Sequence, residues 1–261
     1  MTGEVSGVHK QPTQARWNER LQRRGRPALL VSVADAEEAA EALLGGAQVI
    51  DVKDPTRGAL GMPERGAFIS VCERVAGAAP VTLALGEAGE ASRPGWGATV
   101  CADWDRAAFA KAAAVGSDWR RGLSECLAAV APERRVAAVY VDRVRRGGPG
   151  VEEVLAWAID AGAAGVLLDT RAKDGRCLFD HAEAHAVAAW VASARSAGLL
   201  IALAGSLRGE ALGLASAIDP DLVAVRGAAC VGGDRGGRVH RTAVAQALGW
   251  VQHDRSGVTR A

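Results

Sequence analysis

Short runs of aliphatic residues alternate along this chain with longer alanine-rich segments of helical period. The runs are Ala28–Val33, Gln48–Lys53, Val81–Leu85, Phe109–Val115, Arg135–Val141, Gly165–Asp169, Leu199–Ala204 and Leu222–Arg226, and each predicts a strand. Helices are predicted between them, at Ala34–Leu44, Arg65–Val75, Asp118–Val130, Val151–Ala161, Phe179–Ala197, Arg208–Ala217 and Arg238–Val251. The first of these stops at Gly45-Gly46, a helix-ending signal. Gly89–Asp105, which contains Pro94, Gly95 and Gly97, is the weakest unit. Strand–helix alternation predicts parallel strands joined by helical crossovers. Eight units in roughly 235 residues match the size of a single (β/α)8 TIM barrel. An open doubly wound sheet is the alternative, but no Gly-x-Gly-x-x-Gly follows the first strand. The barrel is placed at 27–252, after a polar, basic extension at 1–26 and before a tail at 253–261.

Composition narrows the class. Hydrophobic residues make up 49% of the chain and aromatics only 4%, so Ala, Val and Leu must fill the core. A net charge of +1 supplies no global attraction to nucleic acid or membrane. No apolar run reaches membrane-spanning length, and the basic N-terminal segment is not followed by a signal-peptide core, so a cytoplasmic location is expected. The five cysteines, Cys72, Cys101, Cys126, Cys177 and Cys230, form no Cys-x-x-Cys pair. A disulfide framework or a zinc site is not expected, and no metal is required.

Charge type is more telling than charge balance. There are four lysines, Lys10, Lys53, Lys111 and Lys173, against 27 arginines. Arginine stays protonated in proteins, whereas a buried lysine can lose its proton and act as nucleophile or base. Lys53 and Lys173 sit in similar settings, Asp51-Val52-Lys53-Asp54-Pro55 and Asp169-Thr170-Arg171-Ala172-Lys173-Asp174-Gly175. Chance survival of four lysines in a drifting composition is the bland explanation, and this double setting weighs against it.

In a (β/α)8 barrel the active residues lie at the C-terminal ends of the strands. Strand two ends in Asp51 and Lys53, whose period-two spacing points both the same way. Strand four carries Lys111, and strand six ends in Asp169 with Lys173 four residues on. Burial and neighbouring cations lower a lysine's pKa, and a fall toward roughly 7 to 8 gives an amine able to form an imine with an aldehyde or ketone. Internal ion pairs that merely stabilise strand ends are the competing reading; three lysines converging on one mouth favour chemistry. Gly205-Ser206 and the stretch Gly227 to Gly233 follow strands seven and eight, where backbone N–H groups often hold phosphate. Ser206 can add its hydroxyl, Arg226 a charge-assisted bond, and Gly232 and Gly233 close backbone approach. His181 and His185 share a face of one predicted helix and are expected to be surface residues rather than half a metal site. Trp96, Trp104 and Trp119 are expected to pack, and Arg143, Arg145 and Arg146 to be solvated.

These residues resemble a known family. Leu29-Leu30-Val31-Ser32-Val33, then Gly46 through Pro55 and Gly58-Ala59-Leu60-Gly61, are similar to the opening of the 4-(hydroxymethyl)-2-furancarboxaldehyde-phosphate synthases of methanofuran biosynthesis. Further matches are Leu168-Asp169-Thr170 with Lys173-Asp174-Gly175, Ala202-Leu203-Ala204-Gly205-Ser206, and Val225-Arg226-Gly227-Ala228-Ala229-Cys230 with Gly232-Gly233-Asp234-Arg235. The likeness spans about 28–248. It implies a (β/α)8 barrel that condenses two molecules of glyceraldehyde 3-phosphate, losing phosphate and water. It implies Lys53 as the Schiff-base residue, Lys111 as proton acceptor, and Asp169 and Lys173 in the site. Lys111 is followed by Ala112-Ala113-Ala114-Val115-Gly116, less glycine-rich than the family's usual pattern, and 1–26 has no counterpart there.

The expected function is therefore a Schiff-base lyase making the furan phosphate, with Asp51, Asp169 and Lys173 relaying protons. Ser206, Gly205, Arg226, Gly227, Gly232 and Gly233 are expected to bind substrate phosphate. No cofactor is required, because the imine is the electron sink. The substrate partner is glyceraldehyde 3-phosphate, and nucleic acid and membrane are not expected as partners. A homo-oligomer is compatible with alanine-rich helices such as 117–130. A Schiff-base aldolase acting on a related sugar phosphate, and a non-catalytic barrel binding a phosphorylated ligand, are the rival readings.

Overall fold

The structure is a computed structural model and describes residues 25–88, 103, 106–144 and 148–252. Eight strands form: β1 Ala28–Val33, β2 Val49–Val52, β3 Val81–Glu87, β4 Phe109–Ala113, β5 Arg135–Tyr140, β6 Gly165–Asp169, β7 Leu200–Leu203 and β8 Leu222–Val225. All neighbouring pairs are parallel, and β8 returns to β1 with Ala28 opposite Leu222, so the sheet closes into a barrel without a free edge. Helices return the chain: α1 Ala36–Leu44, α2 Arg65–Val75, α3 Trp119–Cys126, α4 Val141–Val144, α5 Val151–Asp160, α6 Ala184–Ser196, α7 Glu210–Ala217 and α8 Arg241–Gln252. The doubly wound alternative is thereby excluded. The weak unit Gly89–Asp105, apart from Asp103, and the segments 1–24, 145–147 and 253–261 lie outside the described residues, and with them Trp96, Trp104, Arg145 and Arg146.

Alternation along each strand divides the apolar residues into two shells. Leu29, Val31, Ile50, Val52, Val139, Leu168 and Ile201 face outward and pack beneath the helices with Val71, Leu123, Val154 and Val244. Leu30, Val49, Ala84, Phe109, Ala138, Leu167, Leu200 and Leu222 face inward and fill the barrel. The inner plug mixes leucines, Phe109 and Tyr140 with alanines, and its upper layer is left to polar side chains.

Local capping sets several boundaries. Asp35 accepts from the Glu38 N–H at 2.9 Å and starts α1. The predicted helix Phe179–Ala197 does not form as one piece. A 3-10 turn takes Leu178–Asp180, and α6 begins only after Glu183. His181 therefore lies outside the helix that carries His185, and the two do not share a helix face. His181 is half-buried, whereas His185 is exposed beside Glu183. Trp119 packs in the outer shell, as expected.

Candidate active site

A cavity of about 280 Å³ opens at the C-terminal ends of the strands. Register explains which side chains meet there. Ser32, Asp51 and Thr82 are direct neighbours across β1, β2 and β3. All three are buried, and both hydroxyls donate to Asp51: Ser32 Oγ to Oδ2 and Thr82 Oγ1 to Oδ1, each at 2.8 Å. Lys111, on β4 and also buried, directs its ammonium to Asp51 Oδ1. Burial alone would raise the Asp51 carboxyl, but Lys111, Lys53 and these hydrogen bonds together hold it below the ordinary range. Asp51 is thus an internal counterion held by three donors.

Lys53, one residue beyond β2, keeps the ladder through its N–H to Val33 O and points its amine into the same cavity. Among the described residues the amine's one hydrogen bond goes to the carbonyl of Ala59, at 3.1 Å. That carbonyl belongs to the loop after β2, which folds back as Asp54 N–H donates to Gly61 O at 2.9 Å. A side chain at Gly61 would strike Asp54 O at 2.3 Å, so the fold-back needs glycine there. Burial pushes the Lys53 amine down to about 7; Asp51 and Asp169 oppose the fall, while Lys173 and Lys111 add to it. A buried amine at that pKa is partly neutral at physiological pH and able to attack a carbonyl.

Asp169 closes the far side. Its Oδ1 accepts from Thr170 N–H at 2.7 Å and from Lys173 Nζ at 3.0 Å. Lys173 Nζ also reaches the carbonyl of Thr170 at 2.5 Å and its hydroxyl at 3.3 Å. Asp142 anchors this loop by accepting from the backbone N–H groups of Arg171 and Ala172, and Arg171 forks onto both oxygens of Glu87 at 2.8 Å each.

The loops after β7 and β8 make the remaining wall. Gly205 and Ser206 both adopt positive φ, +98 and +52 degrees. For serine this is a strained conformation, of the kind that persists at functional sites. A side chain at Gly205 would press on Thr170 Cγ2 at 3.0 Å, so glycine lets the β7 loop sit against the β6 loop. Ser206, Gly227 and Gly233 line the cavity.

Three expectations about these loops need correction. Arg226 is committed internally: it pairs with the buried Glu38 through both terminal nitrogens and donates to the carbonyls of Ser32, Arg235 and Gly237. All five guanidinium N–H groups are used, leaving none for a phosphate. Gly232 lies off the cavity wall, and the Gly233 N–H is taken by Cys230 O at 3.1 Å. Two arginines that the sequence did not single out are better placed. Arg235 is half-buried on the wall and, among the described residues, its side chain donates only to the carbonyls of Pro55 and Gly58; burial lowers its pKa. Arg208 is exposed on the rim and has no ion pair among the described residues. Arg235 stood within a quoted motif; Arg208 carried no signal beyond its place after strand seven.

Among the described residues no cluster of three or more His, Cys, Asp or Glu is placed to hold a metal, and no helix is long and apolar enough to cross a membrane.

Solved structures of similar shape are barrel enzymes. Thiamine phosphate pyrophosphorylase from Pyrococcus furiosus superposes with a TM-score of 0.56 at 16% identity, covering 87% of this chain and 96% of its own. Phosphoribosylanthranilate isomerase from Thermotoga maritima gives 0.55 at 13% identity, covering 86% and 98%. At such identities they show the fold alone. Sequence relatives are much nearer. The (5-formylfuran-3-yl)methyl phosphate synthase of Methanothermobacter thermautotrophicus is 38% identical over 83% of this chain and 95% of its own. The enzyme of the same name from Methanocaldococcus jannaschii is 36% identical over 83% and 96%. The profile of the 4-HFC-P synthase family matches residues 29–248, the whole of the barrel from β1 into α8, and the chain belongs to that family.

Proposed function

We propose that this barrel condenses two molecules of glyceraldehyde 3-phosphate into the furan aldehyde phosphate, losing inorganic phosphate and water, through an imine on Lys53. The observation that carries this reading is the Lys53 amine: buried, brought to about 7 mainly by burial, and facing a cavity flanked by two carboxylate–lysine pairs. The family relatives are named for the furan phosphate product, which supplies the substrate class.

In this scheme neutral Lys53 adds to the aldehyde carbon, water leaves, and the iminium withdraws electrons from the adjacent carbon. Lys111, beside Asp51, gives its proton to the departing water and then, as the neutral amine, accepts the carbon-bound proton, while Asp51 carries the compensating charge. The resulting enamine attacks the second aldehyde. Asp169 and Lys173 serve the proton transfers that accompany phosphate elimination and dehydration. The retained phosphate sits against the β7 and β8 loops, at Gly205, Ser206 and Gly227, with Arg208 and Arg235 supplying charge. The site residues need no cofactor for this chemistry, since the imine is the electron sink. A soluble cytoplasmic enzyme of one-carbon metabolism is the setting that suits such a reaction.

Incubation with glyceraldehyde 3-phosphate alone tests the scheme. Furan-aldehyde absorbance and free phosphate should rise together, and borohydride should trap one triose adduct on Lys53. The Lys53→Arg protein should give none of these, because arginine keeps the charge but forms no imine. Carbon–carbon condensation without phosphate release would indicate an aldolase instead. Binding without turnover in the unaltered protein would leave a ligand-binding barrel.

A further inference from the structure

One polar group inside the barrel has no part in the scheme above. Tyr140 is the last residue of β5, its ring belongs to the inner core, and it is 1% exposed. Among the described residues its hydroxyl makes no well-formed hydrogen bond. Water does not reach it, so the group carries its full desolvation penalty unless an acceptor comes to it.

An acceptor stands on the adjacent strand. Tyr140 pairs in register with Asp169 of β6, and both face the barrel interior. The two donors to Asp169, Thr170 N–H and Lys173 Nζ, both use Oδ1, and Oδ2 has none among the described residues. Among the described residues, a donor without an acceptor thus stands on the strand beside an acceptor oxygen without a donor. Burial, then the charges of Asp169 and Glu87, push the phenol well above its ordinary value, so it is a donor throughout the working pH range. Glu87 also faces the hydroxyl, but both its oxygens are forked onto Arg171, and it forms no well-made bond with Tyr140. Asp169 is faced in turn by the cations Lys173, Lys53 and Arg235.

We infer that Tyr140 is a positioning residue for Asp169, whose Oδ2 accepts a hydrogen bond from the Tyr140 hydroxyl when Lys173 turns from Asp169 to the substrate. Lys173 is half-buried on the cavity wall, where a phosphate dianion competes with Asp169 for its amine. Once the amine moves, Asp169 is left in the barrel without its counterion, and Tyr140 holds the carboxylate in place. Only hydrogen bonds change partners. The inference rests on the synthase reading, which supplies the phosphate that draws Lys173 away.

Tyr140 is the sole tyrosine of the chain, so tyrosine labelled with carbon-13 at Cζ gives a single NMR resonance. That resonance should move when the Lys53 adduct with glyceraldehyde 3-phosphate is trapped by borohydride. It should stay put in Asp169→Asn protein trapped in the same way, since an amide oxygen is a weaker acceptor than a carboxylate. Tyr140→Phe keeps the ring, breaks no existing bond and removes a buried unpaired hydroxyl, so its melting temperature should equal or exceed that of the unaltered protein. Its kcat should fall about 10- to 100-fold with KM little changed, the loss of one hydrogen bond to a charged group. A resonance unmoved in the trapped protein, an equal movement in Asp169→Asn, or an unchanged kcat in Tyr140→Phe would each overturn the inference alone. Unaltered protein that traps no adduct and makes no furan would overturn the synthase reading, and this inference with it.

Discussion

The burial that lowers the Lys53 pKa also costs stability. The amine has an ordinary pKa of 10.5 and about 7 in the fold, a fall caused first by burial. Between those values the unfolded chain holds a proton that the folded chain has released. The unfolded state then binds more protons, so this group makes stability rise with pH across the window. Below pH 7 both states are protonated, the slope vanishes, and the cost of burying the cation is fully felt. Lys53→Met removes that cost, and urea titrations should show the variant more stable than the unaltered protein by a margin that shrinks steadily from pH 7 to pH 10. In the proposed scheme imine formation depends on the same group, since only the neutral amine attacks. Its rate should climb through a limb near pH 7, read by borohydride trapping over short times. In Lys173→Met a cation that lowers the Lys53 pKa is gone and the Asp169 charge that raises it is left unopposed. The limb should move to higher pH. A limb that stays in place or moves down would show that Lys173 does not act on Lys53 through charge.

At the scale of elements, the ion pair between α1 and the end of β8 shows where sequence reading stops. Arg226 followed a strand in a glycine-rich stretch, which is what a phosphate ligand looks like in sequence. Its partner Glu38 lies 188 residues away, brought near only because β8 pairs with β1. Strand cores were legible because eight aliphatic runs are separated by helical ones; β1 and β6 keep their expected bounds, while β2, β4 and β7 end earlier than their apolar runs. Period two also placed Asp51 and Lys53 on the inner face, and both line the cavity. The break before α6 was less visible, because the apolar pattern runs on through Leu178 and Phe179 while Asp180 turns back to accept from Cys177 N–H at 2.6 Å. Which lysine meets which aspartate depended on side-by-side register, which a single strand does not encode. The pair itself is testable. Arg226→Ala leaves the Glu38 carboxylate buried and uncompensated, and should cost roughly 3–5 kcal/mol of unfolding free energy. Replacing both partners, as Glu38→Leu with Arg226→Met, removes the stranded charge and should recover much of that loss. Denaturant melts of the single and double variants decide it: a double variant no better than the single one would mean that the carbonyl bonds of Arg226, not its charge, secure the loop.

For the molecule as a whole, barrel closure gathers charge that no segment carries by itself. The chain is close to neutral, yet the cavity wall carries six cations, Lys53, Lys111, Lys173, Arg208, Arg226 and Arg235, against three carboxylates, Asp51, Asp169 and Asp234. Lys111 and Lys173 are paired within the wall and Arg226 is paired behind it, which leaves Lys53, Arg208 and Arg235 to set the field of the mouth. A cleft of one sign with low-dielectric walls draws in ligands of the other. Inorganic phosphate should therefore compete with glyceraldehyde 3-phosphate, and added salt should weaken binding as it screens the rim. The two arginines should differ in effect. Arg235 also donates to the carbonyls of Pro55 and Gly58 and so ties the β8 loop to the loop that carries Ala59, the hydrogen-bond partner of Lys53. Its loss would disturb both binding and chemistry. Arg208 is exposed and makes no such tie, so Arg208→Ser removes charge and little else. A phosphate held there would be bound equally in ground and transition states, and uniform binding appears in KM alone. Steady-state kinetics on Arg208→Ser should show KM raised about tenfold with kcat nearly unchanged, the loss expected for one exposed charge-assisted contact. A fall in kcat at constant KM would place Arg208 in the chemistry rather than at the gate.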